Sequence, residues 1–71
     1  MTDYEEYFKH RSTGQYFKRK LIEGFVLWFK LKTDDNYTRH WLLMSGIDDK
    51  HMLYTLDIEQ ITKQQLFIEL L

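Results

Sequence analysis

The sequence predicts an α+β fold: a small antiparallel sheet of three to four strands with a short helix at each end of the chain. Three observations carry that expectation. Residues 21–46 hold two apolar runs, LIEGFVLWFKL and YTRHWLLMSG, around a polar KTDDN break, which reads as a long hairpin with strands over about 21–32 and 37–46. Tyr4, Tyr7, Phe8 and Arg11 fall at i, i+3, i+4 and i+7, the spacing of one helix face. Leu66, Phe67, Leu70 and Leu71 repeat such a stripe at the other end.

The N-terminal helix is expected over 3–11. Thr2-x-x-Glu5 has the form of a capping box and Gly14 stands just beyond as a stop. Residues 15–22 are ambiguous between a first strand and an irregular lead, with mild alternation in favour of strand. Gly24 interrupts the long run as a bulge or bend would. From Phe25 the aromatic and β-branched residues give a strong strand signal, and 33–36 supplies turn chemistry through Asp and Asn. A second turn is expected over 45–50 and a further strand over 51–56. Residues 57–61 read as a strand extension or turn. Thr62-x-x-Gln65 then opens the C-terminal helix, placed at 62–71.

With 33–36 as the whole loop, Trp28 lies opposite Trp41, Val26 opposite Leu43 and Lys30 opposite Arg39. The other face then carries Phe25, Leu27 and Phe29, with His40 reaching Asp57 across the second turn. Tyr54 joins the tryptophan face. Both faces come out apolar, and two minimal helices have to cover them. A face left open would be sticky, because exposed apolar patches beyond a few hundred Å² mark interaction sites.

Size and composition narrow the function class. Seventy-one residues make a single domain over 1–71, one that buries only about 60% of the surface its unfolded chain exposes. No cysteine is present to staple it, so twelve aromatics (5 Phe, 5 Tyr, 2 Trp) must supply much of the core. The N-terminus lacks the apolar run of a signal peptide. No uncharged stretch approaches the roughly 20 residues of a membrane span. The expectation is a soluble cytoplasmic protein without a membrane partner.

Charge is unevenly distributed. Residues 1–32 carry seven Lys/Arg and four Asp/Glu, a net +3, while residues 33–71 carry three and seven, a net −4. Five of the basic residues lie within 8–20, which contains no acid. Such a stretch can meet phosphates or an acidic protein surface, or simply keep a small apolar domain solvated.

Catalytic signals are weak. Ser12 and Ser45 lack a nucleophile-elbow context, and the adjacent carboxylates Asp34/Asp35 and Asp48/Asp49 sit in expected turns. The three histidines have no metal-ligand spacing, and the three glycines are isolated. No cofactor or metal is expected, and the chain reads as a non-enzyme.

Binding remains. The leading reading is a protein-binding regulator, inhibitor or adaptor that presents Trp28, Trp41, Tyr54 and Arg39, residue types favoured in interface hot spots, or else a sheet edge. An alternative is single-stranded nucleic-acid binding through Lys9, Arg11, Lys18, Arg19 and Lys20, with Tyr16 and Phe17 as stacking platforms. A third is a structural homodimer.

Overall fold

The computed structural model describes residues 4–71. Five strands, β1 (Tyr4–His10), β2 (Tyr16–Ile22), β3 (Phe25–Thr33), β4 (Arg39–Met44) and β5 (Ile58–Ile61), form one antiparallel sheet in the order β4-β3-β2-β1-β5. A π-helical turn, His51–Thr55, lies between β4 and β5, and α1 (Lys63–Leu70), the single α-helix among the described residues, follows β5.

The expected N-terminal helix is a strand, which corrects the predicted architecture. β1 is an interior strand, paired with β2 on one side and β5 on the other. Adjacent residues Tyr7 and Phe8 point to opposite faces, and both are buried because both faces are covered. Aromatics buried on two faces of a strand imitate the i, i+3, i+4 spacing of a helix stripe. Thr2 of the apparent capping box lies outside the described residues, and Glu5 instead accepts a 2.6 Å hydrogen bond from Tyr7 Oη.

The long first strand of the hairpin is also two strands. Glu23 and Gly24 have φ of +50° and +84° and join β2 to β3 as a two-residue turn, Ile22 pairing with Phe25. Positive φ at both central residues is the type I′ signature that matches strand twist. Gly14, at φ +77°, serves the β1–β2 loop, where His10 Nδ1 accepts from the backbone N–H groups of Ser12 and Thr13.

Between β3 and β4 the loop is longer than the expected 33–36. Asp34 N–H donates to Thr38 O, Tyr37 N–H donates back to Asp34 O, and Asp34 Oδ1 accepts from Asn36 and Thr38. Tyr37 takes φ +61°. The added residues move the register, so Trp28 pairs with Met44 and Leu31 with Trp41. The displacement from the expected pairing is an odd number of residues, and every side chain of β4 therefore changes face relative to β3.

Residues 51–56, expected as a strand, are not in the sheet. β4 and β5 lie at opposite edges, so residues 45–57 cross one face of the sheet as a strap. Asp48 Oδ1 caps its entry, accepting from Lys50 and His51 N–H, and the wide turn drives Met52 into the sheet. Met52 is fully buried against Phe8, Phe17 and Trp28, with Met44, Ile47, Leu56 and Ile58 around them. Trp28 stacks at a tilt on Phe8 with ring centroids 5.3 Å apart.

The opposite face is covered by α1, which forms where expected. Thr62 Oγ1 caps it by accepting from Gln65 N–H at 3.0 Å. Leu66 inserts against Tyr7 and Ile61, with Tyr16, Trp41 and Leu70 alongside. Phe67 and Leu71, the other half of the expected stripe, face outward.

The uneven charge is resolved within the fold. Acids of the C-terminal half bind cations of the N-terminal half: Glu69 of α1 holds Lys9, Asp57 and Glu59 hold Arg11 just beyond β1, and Asp49 of the strap holds Arg19. Arg19 is the most sheltered of these cations, its side chain 14% exposed. Asp49 takes Arg19 through both carboxylate oxygens at 3.0 and 2.7 Å and also accepts Trp28 Nε1–H at 2.7 Å. Arg19 donates further to Glu6 and to Tyr4 Oη. No helix is long and apolar enough to cross a membrane among the described residues.

Candidate binding surface

Cover on the α1 side of the sheet is incomplete. The helix shields the β5–β1 half, together with Tyr16 and part of Trp41. Register places Tyr7, Lys18, Phe29 and Leu43 in one row across β1 to β4 on this face, with Lys20 and Leu27 in the next row and Ile22 with Phe25 beyond. Beyond the helix this face stays open. Phe25 is 72% and Leu43 57% exposed, and Ile22, Leu27 and Phe29 between them are half-buried. β4 borders the patch, and among the described residues its outer side has no neighbouring strand.

Lys18 is embedded in this face. Its Nζ stands 4.9 Å from the Phe29 ring centroid and 5.0 Å from that of Trp41, a distance at which a ring attracts a cation. Burial among these groups lowers the Lys18 pKa, while the Glu5 carboxylate pulls the other way. Tyr7, under the helix, is pushed up to about 12, first by burial and then by its hydrogen bond to Glu5.

The residues singled out from sequence are not brought together. Trp28 is core, 2% exposed beneath the strap, while Trp41 lies half-buried on the other face, its ring 6.1 Å from that of Tyr7. Tyr54 is exposed on the strap side. Arg39 lies at the start of β4, opposite Thr33 rather than Lys30. Asp57 meets Arg11 rather than His40.

The basic stretch is largely committed within the fold. Lys9, Arg11, Arg19 and Lys20 each have a carboxylate within 4.0 Å. Asp49 above all, with Tyr4 and Glu6, raises the Arg19 pKa, and Arg19 in turn holds Asp49 below the usual carboxylate range. Phe17, expected as a stacking platform, is buried, and Tyr16 Oη donates to Glu69.

Two features bear on chemistry. Ser12 Oγ lies 3.1 Å from His10 Nδ1, but that nitrogen also receives two backbone N–H groups of the loop, so the contact closes a turn. Among the described residues, no three His, Cys, Asp or Glu side chains cluster as metal ligands.

Phe25 and Leu43, the most exposed members of the patch, were not among the residues expected to bind. The alternation of Phe25, Leu27 and Phe29 places these three on one face, as read from sequence, whereas Leu43, expected opposite Val26 on the other face, joins them only through the changed register. Their exposure depends on where a single helix docks, which no local pattern encodes. Comparison with protein-family models, curated proteins and solved structures finds no match for the chain.

Proposed function

We propose that this chain is a small non-enzymatic protein-binding module, of regulator, inhibitor or adaptor type. It engages its partner through the open end of the sheet, Ile22, Phe25, Leu27, Phe29 and Leu43, next to the free side of β4. The observation that carries this reading is the exposure of Phe25 and Leu43, 72% and 57%, on one contiguous sheet face. Large exposed apolar side chains grouped on one face suit a partner's apolar anchors. Protein is favoured over nucleic acid because four of the five basic residues in 8–20 already hold carboxylates, and phosphate binding would have to displace them.

A photo-crosslinking side chain at position 25 or 43, introduced in cells of the source organism, tests the reading. A discrete adduct with another protein is expected from both positions and not from position 37, exposed in the β3–β4 loop. An adduct of twice the chain mass would assign the patch to self-association. No adduct from either position would overturn the proposal.

A further inference from the structure

The cations of the sheet without a carboxylate partner among the described residues lie, apart from Lys18, on the β3–β4 hairpin. Among the described residues, no carboxylate lies within 4.0 Å of Lys30, Lys32 or Arg39, whereas the basic residues of β1 and β2 other than Lys18 are paired. The hairpin's own acids, Asp34 and Asp35, sit in its loop, and Asp34 is occupied by backbone N–H groups.

Register sorts this hairpin by face. On the strap side, Lys32 lies directly opposite His40 and Lys30 opposite Leu42. On the α1 side, Arg39, Trp41 and Leu43 alternate with them along β4, backed by Thr33, Leu31 and Phe29. The strap side thus carries the two lysines and His40, while Arg39 stands at the end of the apolar side. β4 is the sheet's outer strand on this side. Its sequence RHWLLM has no proline or lysine, the usual guards of an open edge. Among the described residues its outer backbone groups have no hydrogen-bond partner in the loops.

We infer that β4 accepts an extended acidic segment of the partner as a sixth strand, one in which acidic and apolar residues alternate. Strand addition supplies main-chain hydrogen bonds, and alternating side chains supply specificity. Carboxylates of the added strand fall on the strap side, next to His40 and two strand spacings of about 4.8 Å from Lys30 and Lys32, whose stems reach over β4 toward them. Its apolar residues fall on the other side and extend the Leu43 and Phe29 patch. Charge complementarity selects this occupant over a second copy of the chain, since β4 brings Arg39 and His40 but no acid, and the one acid of the other edge strand, Glu59 of β5, already faces Arg11. The inference rests on the binding-module reading and names the chemistry of its partner.

The test uses the full chain and a synthetic peptide of about eight residues alternating Glu and Val, a length matched to one strand. Binding is read by Trp41 fluorescence and by slowed amide exchange in β4. K30E/K32E should weaken binding by roughly tenfold or more, as reversal of interfacial charges does. The same peptide N-methylated at alternate residues should not bind. Equal binding of a Lys-Val peptide, or no effect of K30E/K32E, would overturn the inference. So would a doubling of mass in sedimentation without peptide. If crosslinks at 25 and 43 capture a partner that K30E/K32E leaves unchanged, the acidic strand is wrong and the binding module stands. If they capture nothing, the binding reading itself has failed.

Discussion

Trp28 and Trp41 lie on neighbouring strands but on opposite faces of the sheet. Trp28 is sealed beneath Met52 and donates its indole N–H to Asp49 at 2.7 Å. Trp41 sits beside α1 and offers its ring to Lys18 at 5.0 Å. The relation follows from the 34–38 loop, whose length sets which residue of β4 meets Trp28. One tryptophan is therefore structural, while the other borders the open patch.

Single-tryptophan variants should separate the two. With Trp41→Phe, the remaining indole should emit at short wavelength and resist acrylamide quenching. With Trp28→Phe, the remaining indole should be quenched readily. Comparable quenching of both would contradict the assignment of faces.

Arg19 is the charged tie between strap and sheet, joining Asp49 and Glu6 at 2.7 Å each. Replacing it with Met leaves two carboxylates close together without their cation. Breaking such a sheltered pair from one side costs about 3 kcal/mol, to be measured by urea denaturation. A loss under about 0.5 kcal/mol, the scale of ordinary surface changes, would show that the tie is not part of the stable fold.

Met52 is the strap's main anchor. Met52→Ala should destabilise by about 2–5 kcal/mol through loss of buried surface and the cavity left behind. Tyr54→Ala, two residues along and 82% exposed, should stay within about 0.5 kcal/mol. Similar effects at both positions would mean that the wide turn does not orient the strap as described.

Glu69 links α1 to the sheet, and its carboxyl is held down at about 2 from an ordinary 4.5, first by Lys9, then by Tyr16 and Gln65. A depressed folded-state pKa gives stability that is fully present above the unfolded value and lost as pH falls toward the folded one. The contribution should therefore be complete above about pH 4.5 and disappear on descent toward pH 2. Thermal melts of Glu69→Gln and wild type should differ at neutral pH and converge in that acid window. A gap that persists at pH 2 would contradict the linkage.

The turn between β2 and β3 depends on Gly24 at φ +84°. Gly24→Ala should cost about 1–2 kcal/mol, the penalty of the left-handed region for a residue with Cβ. No measurable change in melting temperature would argue against the two-residue turn.

The sequence revealed the C-terminal helix well, because Thr62 and Gln65 cap it locally and Leu66 and Leu70 pack inward. The hairpin was visible too, but not its pairing. Asp34 and Asn36 announce a turn, whereas inclusion of Tyr37 and Thr38 depends on hydrogen bonds that span the whole loop. β1 was misread because Tyr7 and Phe8 are buried by different parts of the chain, α1 and the strap. The strap was misread as a strand because His-Met-Leu-Tyr-Thr-Leu suits a sheet by composition. Its true conformation is decided by Asp48 and by the docking of Asp49 on Arg19. As for the candidate surface, the shared face of Phe25, Leu27 and Phe29 was legible, and its lack of cover was not.

The central claim is that the open end of the sheet is a contact surface. Its most direct test is competition against the crosslink at position 43. Excess unlabelled wild-type chain should suppress the adduct, while F25D/L43D, shown by circular dichroism to be folded, should not. Equal suppression by the folded double variant would contradict the account.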